Sequence, residues 1–250
     1  MSGTDMDFFE RTFTIHSRDV TQNRQLRLSA MLGFFQEASI SHTENLGMGR
    51  EKTLDRGLLW IITKQSAEII RMPRYDETVT LRTWPGRTMR VFFPRYYEIR
   101  SGEDLLVRGC AVWMLLSESS RSFVFPDEYD IEIDGFSTGD ELDIPGSLAV
   151  CFRDPSGLTL CKTETYSARF SQIDINGHVN NCRYFDLVDD ILPPDENTGY
   201  DHTMIEAEYL KEIRLGDTVV IKAYQSEDSK LIEGESDQSV FRIRIKTIVK

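Results

Sequence analysis

Within the five residues from Asp174 to His178 the chain carries an acid, an amide and an imidazole, as Asp174, Asn176 and His178. At spacings of two and four, an extended chain sends those three side chains to one side and Ile175 to the other. The sequence then predicts a helix from near Asn181, and a helix start offers free N–H groups and the positive end of a dipole to a developing oxyanion. The same residues also have a plain structural reading. Asn176-Gly177 is a turn dipeptide, Asn180 or Asn181 suits a helix N-cap, and His178 then serves as a hydrogen-bonding residue. Residue types and spacing leave both readings open.

Size and composition narrow the setting. The 250 residues, 40% hydrophobic and 28% charged, make an ordinary globular chain of one large or two modest domains. No apolar stretch approaches the ~18–20 residues of a membrane span. The first residues have neither a secretory signal nor a transit-peptide composition, so the expected location is cytoplasmic. The net charge of −12 argues against nucleic acid or an anionic membrane as partner. A local exception is Arg71–Arg108, with eight Arg, no Lys and five acids: either a steering patch or the solvent faces of strands. The four cysteines, Cys110, Cys151, Cys161 and Cys182, match no zinc or redox spacing and read as buried small hydrophobes. No cofactor and no metal site is expected. His16, His42 and His202 have no partner pattern.

The elements that must position the motif occur twice. In the first half, Phe13–Val20 reads as a strand. A helix follows, with Leu28, Met31, Leu32, Phe35 and Ala38 on one stripe. Strands then follow over Trp60–Ile70, Thr78–Pro85, Val91–Arg100 and Leu105–Ser117. The second half repeats this with a strand over Tyr166–Ile173 and a helical stripe of Cys182, Phe185, Val188 and Leu192. Strands follow at Met204–Ile213, Thr218–Gln225 and Val240–Val249, with a polar acidic loop at Ser226–Asp237. The halves align locally when Thr78-Val79 is laid on Thr218-Val219. Strand, long helix, antiparallel meander is the hotdog order. The expected fold is therefore α+β: two tandem hotdog domains, each an antiparallel sheet wrapped around a central helix. Their expected bounds are 1–124 for the N-terminal domain and 158–250 for the C-terminal domain, which contains the motif. The Asp-, Gly- and Pro-rich stretch 125–157 joins them. Asp19-Val-Thr-Gln-Asn-Arg-Gln-Leu26, the first-half counterpart of the motif, has no His, so only the second half keeps a complete set.

The run Asp174-x-Asn-x-His-Val-Asn-Asn-x-x-Tyr184 resembles the signature of the acyl-ACP thioesterase family. Gly57-Leu-Leu-Trp-Ile-Ile-Thr63 and Ala111-Val-Trp-Met-Leu-Leu116 with Ser119-Ser-Arg-Ser122 extend the likeness over most of the chain. The resemblance implies hydrolysis of fatty acyl chains on acyl carrier protein, with Asp174, Asn176 and His178 as catalytic residues. It also adds Glu212, which matches the family's catalytic acid. The following position, a Cys in many plant members, is Ile213 here, which removes a cysteine mechanism there. Cys182 sits in the motif but on the core stripe. The implied partner is acyl carrier protein, and a homodimer is possible. Three rivals are a hotdog acyl-CoA thioesterase, a non-catalytic acyl-binding sensor and a hotdog dehydratase.

Overall fold

The computed structural model describes residues 8–131, 133, 157–194 and 199–248. The first half consists of strand β1 (Phe9–Thr14), helix α1 (Leu28–Asn45), and strands β2 (Leu58–Ile69), β3 (Thr78–Pro85), β4 (Phe92–Ser101) and β5 (Asp104–Ser117). The second contains β6 (Thr159–Ser167), α2 (Tyr184–Ile191), β7 (Thr203–Tyr209), β8 (Thr218–Gln225), β9 (Ser229–Glu235) and β10 (Ser239–Thr247). All twelve strands and helices share one antiparallel sheet and the two helices it curves around. The ten strands run β1-β3-β4-β5-β2-β7-β10-β9-β8-β6. Read outward from its middle, the order is the same in both halves, which is the double hotdog expected from the repeat.

The stripe on α1 explains why the sheet wraps it. Leu28, Met31, Leu32, Phe35 and Ala38 are all at most 4% exposed, and Phe35 stacks on Tyr97 of β4 with ring centroids 4.3 Å apart. Burying side chains of this size contributes about 1.5–3 kcal/mol each. The shorter α2 buries Phe185, Val188 and Ile191 in the same way. One hydrophobic cluster runs through both halves. They join where β2 pairs with β7, from Lys64 opposite Glu208 to Ile69 opposite Thr203. No helix of the described residues is long and apolar enough to cross a membrane, a statement that does not bear on strand-built barrels.

Several expected elements move. The first strand is Phe9–Thr14 and not Phe13–Val20, and its counterpart is Thr159–Ser167 and not Tyr166–Ile173. Both lie at sheet edges, where one row of backbone groups meets solvent and charged residues are tolerated, so their apolar pattern is weak. Short 3-10 turns at Ser17–Asp19 and Phe170–Gln172 take the places predicted as strand. The expected acidic loop contains β9. Its Leu231 and Ile232 are buried, while Glu233 pairs with Arg242 at 2.8 Å and Glu235 with Lys222, so its charges are matched across neighbouring strands. Met204–Ile213 stops as a strand at Tyr209, and residues beyond it leave the sheet. Most of the expected joining stretch 125–157 lies outside the described residues. Of its described part, Ile131 and Ile133 are buried with Leu58, Phe93 and Leu115 of the first half. Five arginines of the predicted basic stretch, Arg71, Arg74, Arg82, Arg100 and Arg108, are ion-paired, and Arg95 is buried, which leaves little of a steering patch.

The alignment of Thr78 on Thr218 survives in detail. Asp76 and Gly216 both take positive φ, +67° and +86°. Glu77 and Asp217 both accept a 2.9 Å hydrogen bond from the backbone N–H three residues earlier, at Arg74 and Arg214. Glu77 also holds the Arg71 guanidinium at 2.7 and 3.0 Å, which, with the Arg74 N–H, pulls its carboxyl down to about 2.

Phe35→Ala is expected to cost about 3–5 kcal/mol, read as a lowered denaturation midpoint. Because the Glu77 carboxyl is depressed on folding, its stabilisation is complete above the ordinary value of 4.5 and disappears as pH falls toward 2. The wild type should therefore be more stable than Glu77→Gln at neutral pH, with the gap closing over that acid window in denaturant titrations.

Candidate active site

The segment read as extended is a tight turn, and that is what brings its chemistry together. Asp174 N–H donates to the His178 carbonyl at 2.9 Å and Gly177 N–H to the Asp174 carbonyl at 3.1 Å. Asn176 N–H donates to Asp174 Oδ1 at 2.8 Å, so the acid's own side chain shapes the turn. Gly177 supplies the positive φ, +80°. Asp174 and His178 consequently face each other across the turn, Oδ2 to Nδ1 at 3.6 Å, with both side chains about 15% exposed. Ile175 is at the tip, 92% exposed. The proximity was legible from the spacing, but the extended geometry was not correct.

The turn is anchored on both flanks. Asn180 N–H bonds the Gln172 carbonyl at 3.0 Å. Val179 N–H donates to the Ile213 carbonyl at 2.7 Å, and His178 pairs through the backbone with Arg214. That short ladder draws 212–214, just past β7, alongside the motif. The Asn180 side chain caps the following 3-10 turn, Asn181–Arg183, by accepting from Cys182 N–H at 2.9 Å, and α2 continues from there. Cys182 and Arg183 N–H are thus already bonded, both to Asn180. This narrows the expected oxyanion donor at the helix start to positions before Cys182.

Glu212 meets a residue that sequence reasoning did not single out. Its carboxylate is held by Arg121 at 3.0 and 3.4 Å and by Arg214 at 3.1 Å. Arg121 comes from the other half, in the turn after β5, at φ +54°. It stands in the Ser119–Ser122 run that carried part of the family likeness. No local pattern could have pointed it at an acid 91 residues away.

All four expected residues, Asp174, Asn176, His178 and Glu212, line one small cavity of about 140 Å³, together with Gln36, Trp60, Trp113, Tyr184 and Tyr209. Burial pushes the Tyr184 and Tyr209 phenols upward, so both remain protonated at neutral pH. Asp174 and Asn176, with Gln36, Trp60, Trp113 and Asn180, also line a second cavity of about 610 Å³. Its walls are mainly first-half residues from α1, β2 and β4, such as Ile40, Leu58 and Phe93. Among the described residues no three His, Cys, Asp or Glu are grouped to hold a metal. Cys182 is 7% exposed, and burial pushes its thiol up to about 12, as the core-facing reading of that position requires.

The first half makes the same turn without the chemistry. Thr21 N–H donates to the Gln25 carbonyl at 2.8 Å, Arg24 N–H to the Thr21 carbonyl at 3.0 Å, and Asn23 N–H to Thr21 Oγ1 at 3.3 Å. Gln25 pairs with Arg74 as His178 does with Arg214. Thr21 therefore stands where the second half has Asp174, and Gln25 where it has His178.

Fold and site together define a double-hotdog protein with one carboxylate–imidazole turn, set where its halves meet. The family models give the more specific answer. That for the acyl-ACP thioesterase N-terminal domain matches residues 6–132, and that for the C-terminal domain residues 158–247. The chain belongs to the acyl-ACP thioesterase family. It is 26% identical over 251 residues to a chloroplastic acyl-[acyl-carrier-protein] hydrolase of Cuphea viscosissima, covering 94% of this chain and 58% of that one. It is also 26% identical over 222 residues to a chloroplastic dodecanoyl-[acyl-carrier-protein] hydrolase of Umbellularia californica, covering 82% and 56%. The chain therefore spans a little over half the length of these relatives. Among solved structures, an acyl-ACP thioesterase from Bacteroides thetaiotaomicron superposes with TM-score 0.78 at 22% identity, covering 98% of this chain and 99% of that one. The 12:0-ACP thioesterase of Umbellularia californica gives 0.74 at 21% identity, covering 98% of each. These two likenesses establish the shared fold.

At neutral pH, iodoacetamide is expected to label Cys161, which is exposed, and to spare Cys110 and Cys182 until denaturant is added. Peptide mass spectrometry reads this directly. Labelling of Cys182 in the folded protein as fast as Cys161 would mean a reactive thiol in the motif.

Proposed function

We propose that this protein is an acyl-[acyl-carrier-protein] thioesterase, releasing a free fatty acid from its carrier protein by hydrolysis. The observation that carries the reading is the sharing of Asp174 and Asn176 between the small cavity that His178 and Glu212 also line and the larger, mainly apolar one. A fatty chain in the larger space puts its thioester carbonyl beside the Asp174 carboxylate. The reading divides the labour as the repeat suggests: the first half, 1–124, supplies most of the acyl pocket, and 158–250 supplies the reacting groups.

Asp174 is the carboxylate that acts. Its Oδ1 is fixed by the Asn176 N–H, while Oδ2 faces His178. It takes a proton from water as water attacks the carbonyl carbon, or attacks that carbon itself to give an anhydride that water then cleaves. His178 and the Asn176 amide orient the carboxylate and the substrate. The Asn181 N–H, ahead of the capped Cys182 N–H, is the donor for the oxyanion. When the tetrahedral intermediate collapses, the C–S bond breaks, and the thiolate leaves readily and takes up a proton. Glu212 already accepts three guanidinium contacts, which leaves it little capacity to receive a proton from water. It serves to hold the 212–214 strand and the Arg121 turn beside the motif. The carrier protein is the partner in this reading, and all four residues come from one chain.

Free-thiol release from matched acyl-carrier-protein and acyl-CoA substrates tests the proposal. Wild type should act faster on the carrier-protein substrate, and Asp174→Ala should lose at least about 100-fold in kcat. Preference for acyl-CoA would move the protein to another hotdog thioesterase class. Absence of release from either would sink the hydrolase reading. Arg121→Met should reduce kcat by about ten-fold, with Arg121→Lys recovering part of it; equal rates in both would remove the cross-half ion pair from the mechanism.

A further inference from the structure

The larger cavity has a charged far end. Arg95 on β4 lines it and is 5% exposed. Its hydrogen bonds go to His42 Nδ1 at 3.0 Å, Thr83 Oγ1 at 3.4 Å and Thr43 Oγ1 at 3.3 Å, all neutral acceptors. No carboxylate oxygen of the described residues is within 4.0 Å of it. A guanidinium has five N–H donors, and burying such a charge without an anion is costly. Desolvation pulls Arg95 down to about 10, still charged at neutral pH. Glu44, on the same wall, is engaged by the Arg50 N–H at 2.8 Å. Trp60, which lines both cavities, carries a buried indole Nε1 with no partner among the described residues.

The position along the pocket follows from α1. Gln36 lines both cavities and so marks the reacting end. Thr43, which Arg95 bonds, is seven residues on, about 10 Å along the helix. A purely hydrocarbon chain of that reach would end against a buried cation it cannot solvate.

Resting on the reading of this cavity as the acyl pocket, we propose that Arg95 forms a second subsite that binds an oxygen on the distal part of the acyl chain. A terminal carboxylate fits best, and a hydroxyl fits less well. The subsite selects oxygenated acyl chains over plain ones of the same length. A carboxylate there completes the bidentate partner that Arg95 lacks and returns the desolvation cost of both groups. Thr43 and Thr83 remain as neutral flanking hydroxyls, so the site holds one negative charge and not two.

Binding can be measured without turnover by calorimetric titration of the full chain with primary amides of a straight-chain fatty acid and of its ω-hydroxy and ω-carboxy counterparts of equal length. The amide replaces the thioester, so no free carboxylate is left at the reacting end to mimic the distal one. Wild type is expected to bind the ω-carboxy amide about ten-fold tighter than the plain amide, with the ω-hydroxy amide between them. Arg95→Met should invert that order, and Arg95→Lys should keep the carboxylate preference in weakened form. Wild-type affinity for the plain amide equal to or above that for the ω-carboxy amide overturns the proposal. So does an unchanged order in Arg95→Met, which would make Arg95 a structural tie between β4 and α1. If Arg95→Met fails to fold by circular dichroism, the wild-type series and Arg95→Lys still decide. Thiol release is read separately: an ω-carboxy preference without hydrolysis keeps the subsite and sinks the enzyme reading, and hydrolysis without that preference does the reverse.

Discussion

Everything that makes this chain more than two small sheets depends on the antiparallel pairing of β2 with β7. A lone hotdog sheet ends in an edge whose N–H and C=O groups invite another strand. Here the edge of each half is consumed by the other, six residue pairs from Lys64–Glu208 to Ile69–Thr203. The seam also contains charge: Lys64 and Glu208 sit 3.6 Å apart and are almost fully buried. Such a pair adds little net stability, but removing Lys64 leaves the buried Glu208 carboxylate with the longer contact to Arg242, at 3.8 Å, in place of its partner across the seam. It therefore acts as a register lock, penalising any slip of β7 along β2. A slip of one residue would turn every side chain of β7 to the opposite face and carry Glu212 away from the turn it flanks.

Duplication explains the shape of the site, and loss of symmetry explains its chemistry. The backbone of the turn is the same in both halves, down to matching hydrogen bonds and a positive φ at Arg24 and Gly177. Four of the five turn positions differ in side chain, and the two that remove the acid and the imidazole are Thr21 against Asp174 and Gln25 against His178. Thr21 Oγ1 reaches the same backbone N–H that Asp174 Oδ1 reaches, so the turn does not need an acid to form. On the proposed reading, the acid is therefore there for the reaction and not for the turn. The first half keeps the turn and gives its helix to the pocket instead, since Gln36, Ser39, Ile40 and Thr43 on α1 line the larger cavity.

The sequence disclosed the fold wherever burial is one-sided. The α1 stripe, the inner strands and the Thr78/Thr218 correspondence are legible because each buries one face and exposes the other. The edge strands β1 and β6 are not, because solvent bathes so much of them that their pattern is nearly polar. β9 was hidden for a different reason: its glutamates are matched by Arg242 and Lys222 on neighbouring strands, and no single-strand pattern reveals a partner across the sheet. The site divides in the same way. Asp174, Asn176 and His178 are near neighbours in sequence, so their meeting was legible even with the wrong backbone geometry. Glu212 came only through family likeness, and Arg121 not at all, because its role is set by tertiary distance.

The placement of arginines is the last constraint linking these features. Of those in the stretch from Arg71 to Arg108, five are neutralised by acids within the fold and so serve the sheet. Arg121 crosses between halves to Glu212, and because both of that carboxylate's oxygens are engaged, Asp174 is the less encumbered acid at the cavity. Arg95 alone of the buried cations described here lines an apolar cavity and meets only neutral acceptors. A fold that pairs five other arginines of that stretch with acids has the means to supply an acid on α1, two turns from Gln36, and Thr43 stands there instead. An unmatched charge in that position has a use if the missing anion arrives with the ligand.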